Sequence, residues 1–186
     1  MHQNKIWFSS FRTRLGLCGI AWGKRGVLRL QLPEVNKQKL LLRLQEDGAE
    51  IARDLPLWIQ SIVTKIQAHL AGNLQDLSQT KTDINAVTNF YQRVYQATQK
   101  IPPGHIKTYG EIAKEIGSPL AYRAVGQALG KNPIALIIPC HRVLGSGNKL
   151  GGFSAYGGQN IKRKLLSIEQ VTALPRPKDR GLTSWR

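Results

Sequence analysis

At 186 residues the chain is long enough for one domain or two small ones. It carries 27 Lys plus Arg against 11 Asp plus Glu, a net charge of +16, which disfavours basic partners and is the electrostatic footprint of a polyanion. Two cysteines, Cys18 and Cys140, are too few for a disulfide framework or a zinc-finger spacing, and no apolar run reaches transmembrane length.

The charge is unevenly spread. Residues 1–84 carry 12 basic and 7 acidic groups, residues 85–170 carry 11 and 3, and residues 171–186 carry 4 and 1. The excess is greatest around Cys140. Nucleic acid is the expected polyanion, against the blander reading of a soluble basic surface. The basic N-terminus lacks the uninterrupted apolar core of a secretory signal, and it reads as strands rather than as a transit peptide. A reducing cytoplasm is therefore the expected compartment, and a free thiol survives there.

In chain order, residues 14–32 predict a hairpin whose arms flank the glycine-bracketed turn Gly23-Lys24-Arg25-Gly26, with Ile6 to Phe11 as a third strand. Cys18 reads as a packing residue in the first arm. Asn36 caps a short helix to Gln45 that turns Leu40, Leu41 and Leu44 to one face, and Gly48 ends it. Pro56 opens a longer helix with apolar positions Trp58, Ile59, Ile62, Val63, Ile66 and Leu70. His69 lies beside that face and reads as a surface or helix-end histidine. Residues 72–86 are polar, and a domain boundary is placed near Asn85.

The second half opens with a helix from about Val87 to Lys100, whose aromatic stripe reads as core. Ile101-Pro102-Pro103-Gly104 breaks it. Thr108 with Glu111 three residues on is a capping box, which starts a helix running to about Ile116. Gly117-Ser118-Pro119 is a turn, with Ser118 as the next cap and a second helix over about Leu120 to Leu129. Two short helices about a glycine turn form a helix-turn-helix. The second carries Ala121, Ala124, Gly126 and Ala128 around a single arginine, Arg123. Small residues allow close approach to DNA, where Arg123 reaches between the strands, or close packing on another helix. The pattern leaves both readings open.

The apolar run Ile134 to Ile138 reads as a packed strand or helix turn, and Pro139 ends it. Cys140, His141 and Arg142 follow directly. Neighbouring side chains on a strand point to opposite faces, so Cys140 and His141 cooperate only where the backbone turns or a water bridges them. Otherwise Cys140 is a buried structural cysteine. The Gly- and Ser-rich loop 145–158 is a candidate pocket wall, and a last helix, about Gln159 to Ile168, is expected to turn Lys162, Arg163 and Lys164 outward. The tail, 171–186, reads as a basic disordered segment.

With these residues in view, the chain resembles the 6-O-alkylguanine-DNA alkyltransferases, or methylated-DNA–protein-cysteine methyltransferases. The resemblance rests on PCHRV at Pro139–Val143, TYGEIA from Thr108, YRAVGQAL from Tyr122, KNP from Lys131, GGFS from Gly151 and KLLSIE ending at Glu169. It is strong over 85–170 and weaker over 1–84. It implies an α+β protein with a small N-terminal antiparallel sheet-plus-helix domain, ribonuclease-H-like, over 1–84. A mostly helical, winged-helix-like catalytic domain then spans 85–170. It further implies a repair protein that flips 6-O-alkylguanine out of duplex DNA from the minor-groove side. The alkyl group moves to Cys140, once, and no metal or organic cofactor takes part.

The same resemblance assigns roles. His141 matches the base that acts on Cys140 through a water, Glu169 the acid that orients it, and Asn132 the residue that holds the loop. Tyr109 matches the proton donor to the leaving guanine, and Arg123 the finger that fills the vacated stack. Ala124, Gly126, Thr108, Arg142 and Ser118 fall on the expected DNA-contacting side; Phe153, Ser154 and Val143 fall in the expected substrate pocket. Phe153 stands where some relatives have tyrosine, and the zinc ligands of others have no counterpart. A monomer is expected, since one lesion needs one thiol. The alternatives are a non-catalytic lesion binder of the alkyltransferase-like type, disfavoured by Cys140, and a sequence-reading regulator, disfavoured by a second helix poor in base-reading side chains.

Overall fold

The glycine-bracketed turn at Gly23–Gly26 sets the first sheet. In the computed structural model, which describes residues 5–172, β1 (Trp7–Thr13), β2 (Gly16–Gly23) and β3 (Gly26–Gln31) form an antiparallel meander. A two-residue strand, β4 (Glu50–Ile51), adds to β1 in parallel, giving the order β3-β2-β1-β4. The antiparallel sheet expected from the sequence is present, and β4 extends it in parallel at one edge. Two residues carry too little pattern to be read as a strand, and here backbone pairing alone makes one.

Helix α1 (Lys37–Leu44) is capped by the Asn36 side chain, which accepts from the Lys39 N–H. It sits on β2 where Gly19 leaves room: a Cβ there would lie 2.3 Å from a Leu44 methyl. Helix α2 (Leu57–Leu70) follows Pro56 and buries Ile59, Ile62, Val63, Ile66 and Leu70. Trp58, expected on that face, is 41% exposed. One apolar cluster runs from Cys18 and Ile20 in the sheet, through α2, to Val94, Val125, Ile138 and Leu165 in the second half.

In that half, Thr88 caps α3 (Asn89–Gln99), and the Thr108–Glu111 capping box starts α4 (Tyr109–Glu115). The next helix, α5 (Tyr122–Gly130), begins later than expected, because residues 118–121 form a turn closed by Ala121 N–H to Ser118 O. Ser118 therefore does not cap it. α3 and α5 are pinned by the buried Tyr95 hydroxyl, which donates to Ala128 O at 2.9 Å. A parallel pair, β5 (Lys107–Thr108) with β6 (Val143–Leu144), ties the start of α4 to the end of the cysteine stretch. Helix α6 (Gly158–Ile168) ends at Glu169. The tail expected to be disordered lies, beyond Thr172, outside the described residues.

Candidate active site

The run Ile134–Ile138 is neither strand nor helix. Leu136 takes a left-handed φ of 66°, and Ile137 N–H bonds back to Ala135 O, folding the chain on itself. Pro139, at φ −80° and ψ 66°, forms an inverse γ-turn that Cys140 N–H closes onto Ile138 O at 2.8 Å. Cys140–Arg142 then makes one turn of 3-10 helix. The backbone therefore turns at the point where cooperation between Cys140 and His141 requires it. The sheet holds this loop from behind: Leu30 N–H donates to Pro133 O, and Ala135 N–H donates to Leu30 O. A left-handed leucine costs about 1–2 kcal/mol, which the buried surroundings of Leu136 offset.

Asn132 fixes the thiol. Its amide donates to Ile138 O at 2.8 Å and to Cys140 Sγ at 3.2 Å, while its carbonyl accepts from Ile134 N–H. Cys140 is 7% exposed and borders an open cavity of about 550 Å³. Tyr109 and Gly126 line one side of that cavity, Tyr122 and Arg123 the rim, and Gly151 and Phe153 the facing loop. Ser154 also lines it. Gly151 is left-handed at φ 64°, and a Cβ there would stand 3.0 Å from the Tyr109 hydroxyl, so glycine keeps that phenol clear.

Behind the thiol lies a buried carboxylate. Glu169 Oε1 accepts from His141 Nε2 at 2.9 Å, His69 Nε2 at 3.0 Å and Arg142 Nη2 at 2.7 Å; Oε2 accepts from Arg142 Nε at 2.9 Å. An ionised carboxylate only accepts, so both Nε2 atoms carry hydrogen. His141 Nδ1 is then left as an acceptor, buried and without a hydrogen-bond partner among the described residues. Burial alone would raise the Glu169 carboxyl, but its bonds from His141, His69 and Arg142 outweigh that and hold it far below the usual carboxylate range. Burial lowers the His141 imidazole, with Glu169 opposing. Burial also pushes the Cys140 thiol up, against the Asn132 hydrogen bond and the Lys162 charge. The resting site is a thiol, a neutral imidazole and a carboxylate. Tyr109 is likewise raised by burial, so its phenol keeps its proton.

Several expected roles change. Arg142, expected on the DNA-contacting side, is buried, clamped on Glu169 and donating to Ile101 O. Val143, expected in the substrate pocket, is fully buried outside the cavity wall; its carbonyl accepts from Lys162 Nζ at 2.7 Å. Lys162 itself, expected outward, is 0% exposed. Burial lowers its ammonium to about 8, with Cys140 pulling the other way. His69, read as a surface histidine, is buried on Glu169. Both had a signal: His69 sits three and seven residues after Ile66 and Ile62, and Lys162 sits three and four before Leu165 and Leu166, on the buried faces of their helices. Thr108 spends its side chain on the α4 cap, Ala124 lies half-buried on α5, and Ser118 lies in the turn before it. Cys18 is buried, and burial lifts its thiol to about 11. Among the described residues no cluster of three or more His, Cys, Asp or Glu is arranged to hold a metal. No helix among them is long and apolar enough to cross a membrane.

This is the architecture of a protein built around one buried cysteine at the wall of an open cavity, backed by a histidine–carboxylate pair. Residues 89–171 match the family described as 6-O-methylguanine DNA methyltransferase, DNA binding domain. A Methanosarcina barkeri methylated-DNA–protein-cysteine methyltransferase is 44% identical over 165 residues, covering 89% of this chain and 98% of that protein. A Mycobacterium tuberculosis relative of the same name is 48% identical over 111 residues, covering 60% of this chain and 65% of its own length. In three dimensions, a Mycobacterium tuberculosis O6-methylguanine methyltransferase matches with a TM-score of 0.73 and 34% identity, over 92% of this chain and 96% of that one. Mycobacterium tuberculosis OGT in complex with DNA matches with a TM-score of 0.71 and 33% identity, over 91% and 95%. The chain belongs to the methylated-DNA–protein-cysteine methyltransferase family.

Proposed function

We propose that this protein repairs duplex DNA by moving the alkyl group of 6-O-alkylguanine onto Cys140 Sγ, once per molecule. The observation that carries the reading is the thiol itself. It borders an open cavity with room for a flipped base and receives a hydrogen bond from Asn132, with an imidazole next in the chain whose free nitrogen is an acceptor. In this reading His141 Nδ1 takes the thiol proton through a bridging water, and Glu169 holds the resulting imidazolium. The thiolate attacks the alkyl carbon, the C–S bond forms, and the bond from that carbon to guanine O6 breaks. Guanine is a poor leaving group while it carries the negative charge, so the Tyr109 hydroxyl, on the cavity wall, supplies its proton. The imidazolium proton then returns to the phenolate, and guanine leaves neutral. The thioether is stable, so the thiol is not regenerated.

A stacked base cannot reach Cys140, so the lesion must be flipped out. Arg123 is exposed beside the cavity, on the first turn of α5; in this reading it fills the gap from the minor-groove side. Ala124 and Gly126 allow the close approach, and the excess of 11 basic over 3 acidic residues in 85–170 supplies the attraction to phosphates. The protein acts as a monomer in this scheme, in a reducing compartment such as the cytoplasm. The test is Cys140→Ser assayed on a duplex with labelled 6-O-methylguanine. Duplex binding is expected to persist with no label transferred to protein. Transfer at the wild-type level by that variant would refute the proposal.

A further inference from the structure

We propose that His69, on α2, is a positioning residue for alkyl transfer, through which the N-terminal half of the chain sets the catalytic histidine. This rests on the function proposed above. His69 lies 100 residues before Glu169, yet its Nε2 meets the same Oε1 that His141 Nε2 meets, at 3.0 and 2.9 Å. Both side chains are 1% exposed and the Glu169 side chain is 0% exposed. Water therefore does not compete for that oxygen.

The tautomer of His69 is set by the backbone. Gln75 N–H donates to its Nδ1 at 3.2 Å, so Nδ1 is an acceptor and Nε2 carries the hydrogen. Both ring nitrogens are thus used. The charged and titratable groups gathered at its donor end are Glu169, His141 and Arg142. His69 lines neither the cavity nor the thiol, so it acts only through Glu169.

Two consequences follow from this arrangement. Together with Arg142, the His69 N–H fixes the plane of the carboxylate, and through it the direction in which His141 Nδ1 points. It also draws off part of the charge on Oε1, which moderates how strongly Glu169 raises the basicity of His141. Removing the donor both misaims the base and makes it more basic. Small misplacements of a catalytic group cost up to about a hundredfold in rate. A loss of about tenfold is expected here, because Arg142 still holds both carboxylate oxygens.

The experiment uses the full chain, with single-turnover methyl transfer from a 6-O-methylguanine duplex measured across pH. His69→Phe, which keeps the volume and removes the donor, is expected to transfer about tenfold more slowly. Its rate–pH midpoint should move upward while duplex affinity is unchanged. His69→Gln, which returns an N–H donor, is expected to recover both rate and midpoint. A His69→Phe protein that binds duplex normally and keeps the wild-type rate and midpoint overturns the proposal; so does a His69→Gln protein as slow as the phenylalanine variant. A second measurement needs neither variant nor activity. Side-chain nitrogen NMR of the wild-type chain is expected to show both His69 and His141 as Nε2–H tautomers. Finding His69 as the Nδ1–H tautomer overturns the positioning role even if His69→Phe does not fold. Absence of transfer by the wild-type chain itself would instead refute the proposed function, leaving the NMR result to decide His69.

Discussion

Replacing Glu169 by Gln tests the buried centre of the site. The carboxylate accepts from two histidines and from the Arg142 guanidinium, and its side chain is 0% exposed. Glutamine keeps the shape but turns an NH₂ group toward a cluster of donors and leaves Arg142 buried without its counter-charge. Breaking a buried pair from one side costs about 3–5 kcal/mol. For a chain of this size each kcal/mol lowers Tm by about 2–4 °C, so thermal unfolding at pH 7 should fall by about 6–20 °C. The pH dependence carries the finer test. The folded carboxyl lies far below its ordinary value of 4.5, so its stabilisation is full above that pH. It is lost as pH falls toward the folded value, because the unfolded chain takes up the proton first. Each pH unit in that window removes about 1.4 kcal/mol, so denaturant unfolding should show the gap about 2 kcal/mol smaller at pH 3 than at pH 5. A gap below about 1 kcal/mol at pH 7, or one that is the same at pH 3 and pH 5, would refute the reasoning.

Other outcomes follow from neighbouring contacts. Asn132→Ala removes bonds to Ile138 O, Cys140 Sγ and Ile134 N–H, and should cost about 2–4 kcal/mol in chemical unfolding. It should also raise the pH at which iodoacetamide reacts with Cys140, since the lost donor favoured the thiolate. Gly151→Ala puts a Cβ 3.0 Å from the Tyr109 hydroxyl at a left-handed φ. It should cost about 1–2 kcal/mol and slow transfer without weakening duplex binding, as read by calorimetry and single-turnover rates. Lys162→Met removes a buried ammonium whose folded value is lowered to about 8 from 10.5. Burying that charge costs about 3 kcal/mol below pH 8, and the cost fades as pH rises to 10.5. Wild-type stability should therefore rise relative to the methionine variant across that window, while the variant's thiol reacts more slowly at neutral pH.

The elements that were legible in the sequence are those whose signal is local. Asn36 and the Thr108–Glu111 pair cap the helices they announce, and the stripe at Ile59–Leu70 turns inward; of the stripe Val87, Phe90, Tyr91, Val94 and Tyr95, the last two are buried and the others half-buried. What escaped depends on partners far along the chain. A buried histidine, lysine or arginine resembles an exposed one until its acceptor is known: Glu169 for His69 and Arg142, Val143 O for Lys162. Ile134–Ile138 has the composition of a strand, but a left-handed Leu136 and the γ-turn at Pro139 bend it into a loop. The two-residue β4 has no pattern to read and exists because Ala52 N–H and Glu50 N–H bond to β1 and its flank. Composition and spacing left open whether Cys140 was reactive or structural. The Asn132 bond to Sγ and the adjoining cavity now favour a reactive thiol, in contrast to Cys18, which is buried in the sheet core.

The central claim is that Cys140 accepts the alkyl group itself. Its most direct test is the intact mass of the full chain after incubation with a short duplex bearing one 6-O-methylguanine, followed by peptide mapping. The expected result is a gain of one methyl group, saturating at one per molecule and located on Cys140. An unchanged mass, with duplex binding demonstrated in the same sample, would contradict the claim and leave a protein that recognises the lesion without removing it.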